Sequence, residues 1–113
     1  FQLITKELAK YRTKIHFILG FVDDKDLSKI IPNLPANSTF GFVKPNVTRG
    51  METNKLKLIF KSYNIEGISF PDLYTAVSKR FKLVPKNELI FVGGSNFIIA
   101  DLLKLKENNQ LPF

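Results

Sequence analysis

The sequence contains no cysteine and only one histidine, His16. The lack of cysteine excludes disulfides, thiol catalysis and cysteine-based zinc sites. A single histidine argues against a histidine-based metal site and against a Ser-His-Asp triad. No apolar run approaches the roughly 18 residues that a membrane span needs, so no membrane association is expected. The start of the chain does not read as a signal peptide, and together with the absent cysteines this favours a cytoplasmic location.

The composition is that of one small globular domain. Of the 113 residues, 44% are hydrophobic and eleven are phenylalanine, which excludes a disordered chain. Seventeen Lys and Arg against ten Asp and Glu give a net charge of +7, which favours acidic partners. The positive charge is spread along predicted helix faces, however, and no RNA-binding aromatic signature is present. We therefore expect no nucleic-acid partner.

Apolar segments of strand type alternate with segments of helix type. Asp72, directly after Pro71, is predicted to cap the helix that follows it. Continuous apolar strands that alternate with helices predict an α/β fold with a mostly parallel sheet and helices on both faces, a three-layer arrangement. One domain is predicted over 1–106, with an irregular tail over 107–113. The predicted strands are 15–19, 39–43, 68–70 and 89–92, and the predicted helices are 1–11 (on Phe1, Ile4, Leu8 and Tyr11), 27–34, 56–63, 72–81 and 97–105.

Polar clusters directly follow three of these strands, at 23–26, 44–50 and 93–96. In a parallel sheet the carboxyl ends of the strands share one edge, and ligands bind at that edge. The three clusters are therefore expected to converge. The chain contains no Walker P-loop and no Gly-x-Gly-x-x-Gly motif, and Ser95 is not followed by the x-Gly of a nucleophile elbow.

Each cluster has a structural interpretation beside a functional one. Lys25, among aspartates, either lies in a solvated turn or binds a carboxylate or phosphate. Arg49 is either a surface residue or grips an oxyanion. The 93–96 segment either makes a turn with Ser95 as a helix cap or binds an anion at a helix N-terminus. For His16, inside an apolar strand, a structural role is expected.

The order of these motifs resembles a known family. The segments 20–27 (Gly-Phe-Val-Asp-Asp-Lys-Asp-Leu), 44–50 (Lys-Pro-Asn-Val-Thr-Arg-Gly) and 91–97 (Phe-Val-Gly-Gly-Ser-Asn-Phe), followed by Ala-Asp-Leu at 100–102, carry the resemblance. Together they resemble the C-terminal domain of bacterial folylpolyglutamate synthase / dihydrofolate synthase, in the Mur ligase superfamily. That resemblance implies a Rossmann-like fold.

The resemblance also implies a chemistry. Such ligases use ATP and Mg²⁺ to convert a substrate carboxylate into an acyl phosphate, which the amino group of an incoming L-glutamate attacks; the acceptor is dihydropteroate or a folate. Carried over to this sequence, Lys25 would bind a glutamate carboxylate, Asp24 and Asp26 would orient it or its loop, and Ser95 would hydrogen-bond the same amino acid. No covalent catalytic residue and no metal ligand is expected. Further anion-binding residues implied with less definition are Arg49, Gly93, Gly94 and Asn96.

The sequence departs from the family's pattern at its start. The family's domain opens with a strand that ends in an Asp-Gly-Ala-His-Asn type motif, and neither this strand nor the ATP-binding domain is present. We therefore expect a fragment of a larger enzyme, inactive alone and without a tightly bound cofactor. The lost strand is expected to be interior, and the two edges left open would favour self-association. The alternatives are a peptidoglycan-precursor ligase domain, a stand-alone anion or nucleic-acid binding module, and a purely structural domain.

Overall fold

The computed structural model describes residues 14–111, so the helix predicted over 1–11 lies outside the described residues. The strands are β1 (Ile15–Gly20), β2 (Ser38–Phe42), β3 (Ile68–Ser69) and β4 (Leu89–Gly94). The α-helices are α1 (Thr53–Ser62), α2 (Leu73–Leu83) and α3 (Asn96–Glu107). None of the helices in this part of the chain has the length and apolar character needed to cross a membrane.

The four strands form one parallel sheet in the order β3-β2-β1-β4. β1 is central and all six of its residues are buried, which explains its continuous apolar sequence. Successive side chains of a strand point to opposite faces of the sheet, so Phe17 and Ile18 enter different cores. The predicted α/β class, with helices on both faces, is confirmed.

The core on one face of the sheet is largely aromatic. Phe17 of β1 stacks on Phe40 of β2, with ring centroids 5.3 Å apart. Phe60 of α1 packs against Phe40 and Phe42, with ring-centroid distances of 5.4 and 4.7 Å, respectively. Full burial of each such ring contributes about 1.5–3 kcal/mol relative to an exposed one. This face therefore fixes α1 on β2 and β1.

The core on the opposite face joins α2 and α3 to the sheet. Ile18 of β1 and Val43, directly after β2, pack with Ala76 and Val77 of α2 and with Ile98 of α3. The predicted cap of α2 is confirmed, because the Asp72 Oδ1 accepts a hydrogen bond of 2.7 Å from the backbone N–H of Thr75. α3 starts immediately after β4, so its N-terminus is held at the carboxyl edge of the sheet.

The segment 27–34 is not the short α-helix that its apolar spacing predicts. The chain makes turns, followed by a 3-10 helix at Ile31–Asn33 with Pro32 in its first turn. Pro32 has no backbone N–H to donate, and Pro35 disfavours helical geometry in the residue before it. Leu27 and Ile31 are nevertheless buried, so the apolar spacing still marks core residues.

Further details of the sheet and the helices complete the fold. Within residues 14–111 the four strands are contiguous, because β1 pairs with both β2 and β4 and β2 pairs with β3. The edges of the described sheet are β3 and β4. α3 extends to Glu107, one residue into the segment predicted to be irregular. Two aromatic side chains of the helices are partly exposed: Phe81 of α2 is 44% exposed and Phe97 of α3 is 42% exposed.

His16 has the structural role expected of it. Its side chain is buried, its Nε2 lies 2.6 Å from Glu88 Oε1, and its Nδ1 lies 2.8 Å from Thr39 Oγ1. These contacts join the amino ends of β1, β2 and β4. His16 therefore lies at the sheet edge opposite to the three polar clusters.

Candidate functional site

The loops after β1 and β2 are held together by backbone hydrogen bonds. The Asp23 N–H donates to the Arg49 carbonyl oxygen at 2.7 Å, and the Met51 N–H donates to the Phe21 carbonyl oxygen at 2.8 Å. Val22 and Gly50 form an isolated antiparallel bridge between these contacts. The backbone of Arg49 is therefore fixed relative to the loop that carries Lys25.

The turn after β4 is joined to the end of β1. The Ser95 N–H donates to the Gly20 carbonyl oxygen at 2.9 Å. This approach requires glycine at position 94, where φ is +116° and an added Cβ would collide with the Gly20 carbonyl oxygen. Gly94 therefore allows the first turn of α3 to lie against the loop after β1.

A cleft of about 340 Å³ opens where the three loops meet. Five of the residues singled out from the sequence line it, and they come from all three polar clusters. The expected convergence of the clusters at this edge is therefore seen in the structure. The lining residues are Phe21, Val22, Lys25, Arg49, Gly94, Ser95, Asn96 and Phe97.

Two cationic side chains border the cleft. Lys25 follows a turn closed by the hydrogen bond from its N–H to the Val22 carbonyl oxygen, 3.1 Å long. Within residues 14–111, no carboxylate lies within ion-pair distance of its ammonium group. The Arg49 Nη1 lies 3.9 Å from Asp24 Oδ2, and both side chains are exposed. The cleft thus offers a positive charge at Lys25 and a second at Arg49.

The N-terminus of α3 adds donors to the same cleft. The Ser95 Oγ accepts a long hydrogen bond of 3.4 Å from the Ile98 N–H, which leaves the hydroxyl hydrogen free to donate. The N–H groups at Asn96 and Phe97 belong to the first turn, which has no acceptor within the helix. α3 has no acidic residue in this turn, so the positive end of its dipole favours an anion.

Asp24, Asp26 and Gly93 do not line the cleft. Asp24 borders a neighbouring depression, beside Arg49. Asp26 accepts a hydrogen bond of 2.9 Å from the Ser28 N–H, and the backbone and side-chain hydrogen bonds from Ser28 hold the pKa of Asp26 below its ordinary value. Gly93 is buried, and a Cβ there would meet the Phe91 ring at 2.8 Å. Their contacts indicate that Asp26 and Gly93 shape the loops.

Sequence reasoning missed several contacts that shape the site. Asp101 Oδ2 accepts a hydrogen bond of 3.0 Å from the Asn46 N–H, which ties α3 to the loop after β2. Lys55 Nζ lies 2.8 Å from Asp23 Oδ1 and anchors the loop after β1 to α1. Phe97 lines the cleft and is 42% exposed. Asp101 and Phe97 lie in the segments 100–102 and 91–97, which carried the family resemblance. That resemblance was the one sequence signal that could have pointed to these two residues.

Several acidic residues near the cleft have partners of their own. In the described part of the chain, no group of three or more His, Asp or Glu side chains is arranged to hold a metal ion. The acidic residues after β1 contact other groups instead: Asp23 pairs with Lys55, and Asp26 bonds to Ser28. The cleft itself is lined by the two cationic residues Lys25 and Arg49.

Comparison with known proteins shows a likeness in structure. No family model and no curated protein sequence matches the chain. The solved structure of E. coli FolC in complex with DHPP and ADP is similar over 96% of the chain, with a TM-score of 0.70 and 14% identity. Helicobacter pylori folylpolyglutamate synthetase is similar over 96% of the chain, with a TM-score of 0.60 and 20% identity. The chain spans 27% and 26% of these two proteins, respectively. The sequence resemblance and the structural likeness agree, and the chain has the fold of a folylpolyglutamate synthase-like domain.

Proposed function

We propose that this chain binds the incoming glutamate in an ATP-dependent ligase that joins glutamate to dihydropteroate or a folate by an amide bond. The observation that carries the proposal is the convergence of Lys25, Ser95 and the N-terminus of α3 on one cleft at the carboxyl edge of the sheet. The structural likeness to folylpolyglutamate synthases supports the same reaction class.

The cleft residues would act by binding and positioning. The Lys25 ammonium neutralises a carboxylate of the amino acid, and the Ser95 hydroxyl donates a hydrogen bond to the same group. The first-turn N–H groups of α3 add fixed dipoles that need no reorganisation when the anion arrives. With its carboxylate held in this way, the amino acid presents its amino group for attack in one orientation.

The nucleotide belongs to another part of the complete protein in this proposal. ATP with Mg²⁺, bound elsewhere in the complete enzyme, would phosphorylate the carboxylate of the dihydropteroate or folate substrate, and phosphate would leave when the amine of glutamate attacks. This chain contributes the charge and the orientation of the amino acid, and no residue of the cleft forms a covalent bond to the substrate. We therefore expect no amide formation by the 113-residue chain without the rest of the enzyme.

The test is an assay of the complete protein that contains this chain. Mg-ATP and L-glutamate are supplied with dihydropteroate or with a reduced folate, and ADP and amide product are measured together. Lys25→Ala should raise the KM for glutamate by about 10- to 100-fold, because a hydrogen bond to a charged group contributes about 1.5–3 kcal/mol. Lys86→Ala is the matched control, since Lys86 is exposed just before β4, at the opposite edge of the sheet.

The outcomes separate the candidate functions. Product that depends on Lys25 and not on Lys86 supports the proposal. Product with a peptidoglycan precursor and with neither folate acceptor would instead indicate the other ligase class. No ligation, with salt-sensitive binding to any polyanion, would indicate a general anion-binding module.

A further inference from the structure

We propose that Arg49 recognises the side-chain carboxylate of the incoming amino acid, so that an acidic amino acid is bound in preference to its neutral amide. This inference rests on the proposed function and assigns the second anionic group of the substrate to a named residue. It also gives Asp24 a role as the residue that pairs with Arg49 before the substrate arrives.

The placement of Arg49 is the first argument. Arg49 lines the cleft with Lys25 and Ser95, and it also lines a neighbouring depression of about 380 Å³ with Asp23, Asp24 and Thr48. The guanidinium group thus lies at the border between an electropositive cleft and an acidic loop. A ligand that fills the cleft and extends toward this border would present its distal group to Arg49.

The second argument is that the backbone of Arg49 is fixed while its side chain is free to change partners. The Arg49 carbonyl oxygen accepts from the Asp23 N–H, and the next N–H, at Gly50, donates to the Val47 carbonyl oxygen at 3.0 Å. The side chain is 67% exposed, and its ion-pair distance of 3.9 Å to Asp24 is longer than a direct hydrogen bond. The guanidinium can therefore turn to a second carboxylate without moving the loop.

The third argument is that Lys25 and Arg49 suit different carboxylates of the amino acid. Every amino acid carries the main-chain carboxylate, for which Lys25 and the N-terminus of α3 provide charge and fixed donors. The distal group then meets a planar guanidinium, which pairs with a carboxylate through two parallel hydrogen bonds. The side-chain amide of glutamine brings no charge, and its NH₂ group meets a residue that has donors only. The arrangement at Arg49 therefore discriminates against glutamine.

The experiment compares L-glutamate with L-glutamine on the full chain by NMR titration, which measures weak affinities directly. The wild-type chain should bind glutamate about 10- to 100-fold more tightly than glutamine. Arg49→Gln should bring this ratio close to one, mainly by weakening glutamate. Arg49→Lys, which keeps the charge and loses the planar fork, should retain part of the preference. Lys57→Gln, an exposed charge removed from α1, is the matched control and should leave the ratio unchanged.

A second variant tests the pairing of Arg49 with Asp24. Asp24→Asn removes a carboxylate that competes for the guanidinium, and an exposed pair of this kind contributes up to about 1 kcal/mol. Glutamate affinity should therefore rise by up to about fivefold, with glutamine affinity unchanged. A fall in glutamate affinity in Asp24→Asn would contradict this role of Asp24.

The outcomes distinguish the inference from the proposed function. If the wild-type chain prefers glutamate and Arg49→Gln keeps that preference, the inference is overturned and the proposed function stands. If Lys25→Ala leaves both affinities unchanged, the proposed site fails and the inference fails with it. A ratio that collapses in Arg49→Gln, while Lys25→Ala weakens both amino acids, establishes the assignment.

Discussion

The Ser95 N–H donates to the Gly20 carbonyl oxygen at 2.9 Å, which joins the turn before α3 to the end of the central strand. This contact sets the distance between two of the three loops that line the cleft. The contact depends on Gly94, the residue before Ser95. Its φ of +116° favours glycine, and an added Cβ would collide with the Gly20 carbonyl oxygen. The position of the helix N-terminus in the site therefore follows from a backbone requirement.

Gly94→Ala should destabilise the protein and impair the cleft. An alanine there would be strained at the positive φ, and its Cβ would be forced against the Gly20 carbonyl oxygen. We expect a loss of about 1–3 kcal/mol in the free energy of unfolding by urea titration, together with weaker glutamate binding. Asn96→Ala, an exposed change two residues away, is the control for stability alone and should cost less than about 0.5 kcal/mol in the free energy of unfolding. Wild-type stability in Gly94→Ala would show that the turn relaxes without strain.

The two side-chain caps should separate stability from binding. Asp72 caps α2 with a hydrogen bond of 2.7 Å, whereas the hydrogen bond of Ser95 at the start of α3 is 3.4 Å long. Asp72→Ala should therefore cost about 1 kcal/mol of stability and leave glutamate affinity unchanged. Ser95→Ala should cost less stability, because its capping hydrogen bond is long, and should weaken glutamate binding, because Ser95 lines the cleft. Urea unfolding and NMR titration of both variants check this, and a loss of stability without loss of affinity in Ser95→Ala would indicate a cap alone.

Local sequence signals predicted the elements well where they agreed with one another. Pro71 and Asp72 marked the start of α2, and the glycines after the apolar residues of β4 marked the turn into α3. The 27–34 segment shows the limit, since apolar spacing identified buried residues there and two prolines decided the backbone.

The location of the candidate site at the carboxyl edge of the sheet could be predicted from the sequence, whereas the side-chain contacts around it could not. Parallel strands bring their carboxyl ends together, so the meeting of Lys25, Arg49 and Ser95 follows from the element order. The neighbouring contacts depend on side-chain conformations that spacing does not encode. Asp26 accepts a hydrogen bond from Ser28 and Asp24 pairs with Arg49, although the two aspartates flank the same lysine.

Removing the His16 ring should weaken the amino edge of the sheet and leave the cleft intact. In His16→Leu, the Glu88 carboxylate and the Thr39 hydroxyl lose their contacts with the ring nitrogens. We expect a loss of about 1–3 kcal/mol in the free energy of unfolding. Glu88→Gln keeps an acceptor for Nε2 and should cost less. Because these residues lie at the edge opposite to Lys25, glutamate affinity should not change in either variant, and a change would mean that the two edges are coupled.

Asp26 should give the protein a stability contribution that acid removes. The hydrogen bonds from the backbone and then the side chain of Ser28 hold the folded-state pKa of Asp26 below the ordinary 3.8. A folded-state pKa below the unfolded value means that the ionised carboxylate favours folding. This contribution is complete above pH 3.8 and is lost as the pH falls through the lower folded-state value. Urea midpoints of the wild type and Asp26→Asn should therefore differ at pH 6, and the difference should disappear as the pH falls through the folded-state pKa of Asp26.

The Ser28→Ala variant shows which hydrogen bond holds that pKa. It keeps the backbone N–H of residue 28 and loses only the hydroxyl, and the backbone bond is the larger of the two causes. Ser28→Ala should therefore retain most of the pH-dependent difference from Asp26→Asn. NMR titration of the Asp26 carboxyl resonance gives the folded-state pKa directly in each protein. A value at or above 3.8 in the wild type would contradict the assignment, because the turn would then gain nothing from the ionised form.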